Sequence, residues 1–290
     1  MVSRSPLKFP PALWVLIPFG LLVARFHFVC DDAFISFRYA RNLASGFGLR
    51  YNPGVDPPVE GFSNFLWVIV LSVVEGLGGD PVLWSQILSI ACALGLLALL
   101  HRHLRRRMEL SPEQAALVLL FLATLPPFVV WSTGGLATLP FALALFAIYH
   151  VLLGERSEDG GRGGRVSGLC AGLLALTCAL LRADGLLWAA AVLGIGWLTA
   201  LLQKRRPLLR ATFLAAGILL GGFALFELGR LAWFGDPFPN TARIKIGFGP
   251  EALTRGFHYV AGLLLVFPAL ILIPAAGLFL ARGRRRAAAL

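Results

Sequence analysis

Apolar runs of about 18 residues or more recur along the whole chain, and this limits the available folds more than any other feature. At about 1.5 Å rise per residue, such a run reaches across a hydrocarbon layer of roughly 30 Å. Lipid offers the backbone no hydrogen-bond partner, so the runs must be helices. Composition agrees: 58% of the 290 residues are hydrophobic and 14% are charged, more apolar than one soluble core requires. The sequence therefore predicts an all-α, polytopic transmembrane helical bundle.

Nine apolar segments lie near residues 11–30, 62–79, 82–100, 115–131, 138–154, 166–181, 185–202, 211–234 and 257–281. The first is too long for a signal-peptide core and lacks a small-residue cleavage site before Asp31, so it reads as a retained helix. Most of the 26 Lys and Arg residues fall into clusters: Arg4 and Lys8; Arg102 and Arg105 to Arg107; Arg156, Arg162 and Arg165; Lys204 to Arg206 with Arg210; and Arg282 with Arg284 to Arg286. The positive-inside rule puts these clusters in the cytoplasm. It also accounts for the net charge of +11 without a nucleic-acid partner.

Loop 31–61 outside and loop 101–114 inside require an odd number of crossings between them, yet two apolar segments lie there. The 62–79 segment carries Glu75 and ends in Gly78-Gly79-Asp80-Pro81, so it is expected to be shallow or broken. The expectation is a single domain over residues 1–290, with about eight spans, both termini cytoplasmic and no soluble C-terminal domain. Cys30, Cys92, Cys170 and Cys178 show no metal-ligand spacing and read as small hydrophobes.

The outer loops hold the unusual residues. After Asp31-Asp32, residues Ala33, Phe37, Ala40 and Ala44 share a helical stripe with Phe34 beside it, whereas Ser36, Arg38, Arg41 and Asn42 lie elsewhere. This is the pattern of an amphipathic helix in the membrane plane, within a first outer loop spanning 31–61. Asp32 is a candidate N-cap. Two adjacent aspartates exceed a cap's needs, and one carboxylate, partly desolvated, can act as a general base while the other holds a divalent cation or orients substrate. The turn-rich stretch that follows returns to the membrane past Glu60 and Asn64, which are candidate pocket residues with Arg38.

Asp31-Asp32-Ala33-Phe34-Ile35-Ser36-Phe37-Arg38-Tyr39-Ala40-Arg41-Asn42-Leu43, then Tyr51-Asn52-Pro53-Gly54 and Val59-Glu60-Gly61-Phe62-Ser63-Asn64, resemble the opening of GT-C glycosyltransferases. Trp131-Ser132-Thr133-Gly134-Gly135-Leu136, Leu181-Arg182-Ala183-Asp184-Gly185-Leu186 and Phe234-Gly235-Asp236-Pro237-Phe238-Pro239-Asn240-Thr241-Ala242 resemble later signatures in the same order. The likeness is strongest to bacterial arabinofuranosyltransferase-like members. It implies a polyprenyl-phosphate sugar as donor, a cell-envelope glycan or lipid as acceptor, and an extracytoplasmic site in the bacterial plasma membrane. It also assigns the acidic catalytic role to Asp31 and Asp32. The chain departs from the pattern at Ala137, where Gly-Leu-Glu is expected.

A lipid-phosphate donor needs cations at the interface. Arg182, with Asp184 orienting it, and Arg243 and Lys245 are the candidates, and Asn240 is a further pocket residue. Glu227 and Arg230, three residues apart on one helix face, read as a structural ion pair. The expected chemistry is inverting sugar transfer with an aspartate general base; a divalent cation on Asp31 and Asp32 is the one cofactor considered. The alternatives are a lipid-linked sugar transporter or flippase, for which no internal repeat is visible, and a catalytically silent scaffold of the same origin.

Overall fold

The computed structural model describes residues 11–154, 162–241, 249–266, 268 and 272. Among them every regular element is helical. The chain divides into two compact units, residues 1–241 and 242–290.

The first unit opens with α1 (Pro11–Trp14) and α2 (Leu16–Arg25). Helix α3 (Asp31–Ala44) and α4 (Phe65–Gly76) follow, joined by the turn-rich loop, and then the long α5 (Pro81–Arg106). Next come α6 (Pro112–Thr124), α7 (Pro126–Val130) and α8 (Thr138–Tyr149), the last continuing into a π-helical turn at His150–Gly154. The unit closes with α9 (Arg162–Leu181), α10 (Gly185–Leu202) and α11 (Arg206–Phe234). In the second unit α12 (Pro250–Val266) is described, with Glu251 and Arg255 one turn apart at 3.8 Å.

Local signals set the boundaries. Asp80 accepts from the Val82 N–H and Pro81 occupies the first turn of α5. Ser111 and Gln114 form a capping box at α6. Pro126 and Pro127 prevent α6 and α7 from merging, because each lacks an N–H and the first bars a helical Leu125.

Among the described residues four helices are long and apolar enough to cross a membrane: α5, α9 from Gly164, α10 and α11. Pro11–Arg25, Phe65–Gly76, Pro112–Thr124 and Thr138–Leu153 are apolar but shorter. Helix length among the described residues does not by itself confirm the eight crossings expected. The first segment ends as a helix at Arg25 rather than near residue 30, and it breaks at Val15. The 62–79 segment is the short helix anticipated: 12 residues, closing at Gly76, with a length of about 18 Å. Its Glu75 pairs with Arg41 of α3 at 3.0 Å.

The tightest seam joins α9 to α11. Gly164, Gly168 and Gly172 recur every four residues, placing one bare stripe on α9. A Cβ at Gly168 would stand 2.9 Å from the Ala211 carbonyl oxygen, and one at Gly172 2.8 Å from Ile218. Such small-residue spacing lets membrane helices approach backbone to backbone. Ala171, Ala175, Ala211 and Ala215 fill the adjoining core with Ile148 and Leu193. All four cysteines are free; Cys178 is buried as expected, whereas Cys170 faces outward.

Candidate active site

Helix α3 starts at Asp31, with Cys30 as its N-cap, so Asp32 is not the cap. Both aspartates sit in the first turn, where unpaired backbone N–H groups favour negative charge. Asp31 Oδ1 accepts from the Asp32 N–H at 2.9 Å and faces the Cys30 thiol at 3.4 Å. Among the described residues Asp32 has no side-chain contact of this kind. Both residues are exposed on the protein, because the buried face of α3 begins only at Ala33.

That face follows the expected stripe at Ala33, Phe37 and Ala40, but Ala44 and Phe34 are exposed. Ser36 and Tyr39 are buried in addition, because the outer loop folds over a second side of the helix. Ser36 and Asn64 exchange hydrogen bonds at 2.9 and 3.2 Å. The Tyr39 hydroxyl donates to the Val59 carbonyl at 2.6 Å and accepts from the Gly61 N–H at 2.8 Å. Burial pushes its pKa up, against the Gly61 N–H bond, and the Glu60 charge adds to the rise. Arg38 donates to the Tyr51 carbonyl and to Asn52 Oδ1, and Asn42 donates to the Arg50 and Tyr51 carbonyls. Arg38 is thus a loop clamp by its contacts.

The Trp131–Ala137 motif is packed behind the start of α3. The Cys30 N–H donates to the Gly134 carbonyl at 3.0 Å, and the Phe28 N–H approaches Thr133 Oγ1 at 3.4 Å. Gly135 has φ +80°, and a Cβ there would meet Ala33 at 2.9 Å; glycine satisfies both demands. Its carbonyl accepts from the buried Trp67 indole at 3.0 Å. Ala137 is itself buried, in a cluster with Ala33, Trp67 and Leu181. The position where a glutamate was expected therefore abuts the aspartate-bearing helix.

Leu181 brings the α9–α10 turn to the same cluster. Arg182 donates from Nε to Asp184 Oδ1 at 2.8 Å and from Nη2 to Oδ2 at 3.3 Å, and the Trp188 indole adds a bond at 3.2 Å. Partial burial pushes the Asp184 carboxyl up, but the Arg182 bond and charge, with Trp188, outweigh it and hold the group below the usual value. Arg182 is half-exposed beside Phe141, with the ring centroid 5.4 Å away. A Cβ at Gly185 would collide with the Cys178 carbonyl, which explains the glycine closing this motif.

A second cluster holds the loop to the end of α11. Glu60 is 6% exposed and its Oε2 lies 3.2 Å from Arg230 Nε, in ionic contact without hydrogen-bond alignment. Arg230 also bonds Glu227 Oε1 at 2.5 Å and the Pro237 carbonyl. The Glu227–Arg230 pair is as expected; Glu60 as its third member had no local signal, lying 170 positions away in sequence. Burial raises the Glu60 carboxyl to about 7, with Arg230 opposing and Glu227 and Asp236 reinforcing the rise. The exposed Asn240 donates its N–H to the Glu60 carbonyl at 3.0 Å.

The expected site residues thus fall into two groups. Asp31, Asp32, Arg182 and Asp184 border one core cluster; Glu60, Asn240 and the clamps Arg38 and Asn64 belong to the loop and its anchorage. Arg243 and Lys245 lie outside the described residues. No group of three or more His, Cys, Asp or Glu side chains forms a metal-type cluster among the described residues.

Two arabinofuranosyltransferases share this chain's sequence pattern. A terminal β-(1→2)-arabinofuranosyltransferase of Corynebacterium glutamicum is 29% identical over 236 residues, covering 75% of this chain and 33% of its own length. One of the same description from Mycobacterium tuberculosis is 26% identical over 291 residues, covering 94% of this chain and 44% of its own. The chain spans a third to less than half the length of these relatives. No family model and no solved structure matches. With its apolar helices, the chain is an integral membrane protein similar to glycosyltransferases.

Proposed function

We propose that this protein is a GT-C-type membrane glycosyltransferase that moves a sugar from a polyprenyl-phosphate donor to a cell-envelope glycan or lipid, on the extracytoplasmic side of a bacterial plasma membrane. One observation carries the reading: Asp31 and Asp32 open α3 with exposed carboxylates, backed by the same core cluster that positions the Arg182–Asp184 turn. The names of the two relatives make an arabinofuranosyl group the first sugar to test.

In this reading the acceptor hydroxyl oxygen bonds to the anomeric carbon as the carbon–oxygen bond to the lipid phosphate breaks. The hydroxyl proton passes to Asp32, whose carboxylate has no competing contact among the described residues, while Asp31 is held by the Asp32 N–H. Arg182 uses Nε and Nη2 on Asp184, leaving its other N–H groups for the departing phosphate. A divalent cation, if used, would draw on Asp31 and Asp32 and add positive charge beside that phosphate. Direct displacement inverts the anomeric centre, so the product configuration relative to the donor checks this step.

The test is transfer of radiolabelled sugar from polyprenyl-phosphate donors in proteoliposomes, comparing the unmodified chain with Asp31→Asn and Asp32→Asn at matched expression. Loss of at least roughly 100-fold in Asp32→Asn is expected of a general base. Transfer unaffected by both substitutions removes the proposed site, and transfer from no donor removes the enzyme reading.

A further inference from the structure

Helix α9 carries Arg182 beyond one end; at its other end the structure holds an unassigned concavity. The turn Gln203–Arg205 joins α10 to α11, with Lys204 held at φ +53°, a conformation that side-chain-bearing residues rarely adopt. This turn presents Lys204, Arg205 and Arg206 around a cavity of about 300 Å³, closed on the far side by Val151, Gly164 and Ser167. Gly164 stands in the first turn of α9 and Pro207 in the first turn of α11, so two helix N-termini meet there. Among the described residues no carboxylate lines it.

These cations differ from the other described basic cluster. Arg105 and Arg107 spend their guanidinium groups on the carbonyls of Leu110 and Leu153. Among the described residues, the Lys204, Arg205 and Arg206 side chains have no such acceptor. Immediately beyond, Ala211 lines the cavity and Thr212 begins a second, apolar groove of about 320 Å³ between α10 and α11. Leu193, Trp197, Phe213, Ala216 and Leu220 line that groove. A basic pocket at the N-terminal end of α11 and a separate apolar groove that starts at the next residue of the same helix together match an amphiphile with an anionic head.

We propose that the two concavities form one binding site for an anionic phospholipid, with its phosphodiester among Lys204, Arg205 and Arg206 and one acyl chain in the α10–α11 groove. The apolar groove beside the basic cavity favours a lipid over a free anion. The occupant is recognised by charge at the head and by shape along the chain, and it braces the ends of α9 and α11 where their glycine seam begins.

Trp197 supplies the probe. Purified full-length chain in phosphatidylcholine micelles is titrated with chain-brominated phosphatidylglycerol or chain-brominated phosphatidylcholine, and the quenching lost in Trp197→Phe is taken as the groove signal. The anionic lipid is expected to quench at a several-fold lower mole fraction. Each cation removed should take away part of that several-fold preference, so Arg205→Gln/Arg206→Gln brings the two lipids together. Lys204→Gly provides a variant that folds more easily, since glycine accepts the left-handed turn; it should reduce the preference by one such step. Equal quenching by the two lipids in the unmodified chain, or a preference that survives these substitutions, overturns the proposal. So does complete displacement of the preference by millimolar inorganic phosphate at matched ionic strength, which would mark a free-anion site.

Discussion

Replacing Glu60 by glutamine tests the loop anchorage directly. Glu60 and Glu227 share one cation: Glu227 holds Arg230 at 2.5 Å in a hydrogen bond, whereas Glu60 sits at 3.2 Å out of alignment. Burial disfavours the Glu60 carboxylate most, Arg230 opposes that only in part, and the Glu227 and Asp236 charges add to the rise, so Glu60 takes up a proton. Its value rises from 4.5 to about 7. Between those values the folded protein keeps a proton that the unfolded chain has released, so stability falls as pH rises through the window. The full loss is about 3 kcal/mol, or roughly 6–12 °C of melting temperature for a unit of this size. Glu60→Gln keeps the shape and the neutral charge state. Its melting temperature in detergent should therefore match the unmodified protein near pH 5 and exceed it near pH 8. A variant that keeps the original pH slope, or an unmodified protein that gains stability as pH rises, refutes the reasoning.

Other outcomes follow from the same contacts. Tyr39→Phe strands the Gly61 N–H and the Val59 carbonyl and should cost about 1–3 kcal/mol, read as a lower melting temperature and faster proteolysis of the 45–64 loop. Gly168→Leu forces α9 off the Ala211 backbone and should lower thermal stability more than Gly194→Leu, where a Cβ meets nothing within 4 Å; equal effects would dismiss the seam. Under the proposed function, Arg182→Lys loses the two-point bond to Asp184 and should raise the donor KM more than it lowers kcat in the transfer assay.

The sequence made the fold legible where the signal is local and chemical. Hydropathy located α5, α10 and α11, Gly78-Gly79-Asp80-Pro81 marked the stop after α4, and three-residue spacing identified the Glu227–Arg230 pair. It was silent where the partner is remote. Nothing near Glu60 points to Arg230, and nothing in α3 indicates that Ser36 and Tyr39 will be covered, since the covering surface is a loop whose path is set by turns. Gly164, Gly168 and Gly172 also passed unnoticed, because glycines inside an apolar run neither raise nor lower its membrane character. Their meaning appears only when another backbone lies against them. Residue spacing likewise overstated helix lengths: proline pairs and a break at Val15 cut segments whose hydropathy is continuous.

The glycine stripe on α9 also acts as a graduated scale. Its bare positions are four residues apart and face Pro207, Ala211, Ala215 and Ile218, so a shift of α9 along α11 that keeps a glycine at each contact is a step of about 6 Å, and an intermediate setting drives side chains into backbone. Arg182 follows the last residue of α9. The height at which that guanidinium stands is therefore indexed rather than adjustable, fixed by residues up to 18 positions before it that touch no substrate.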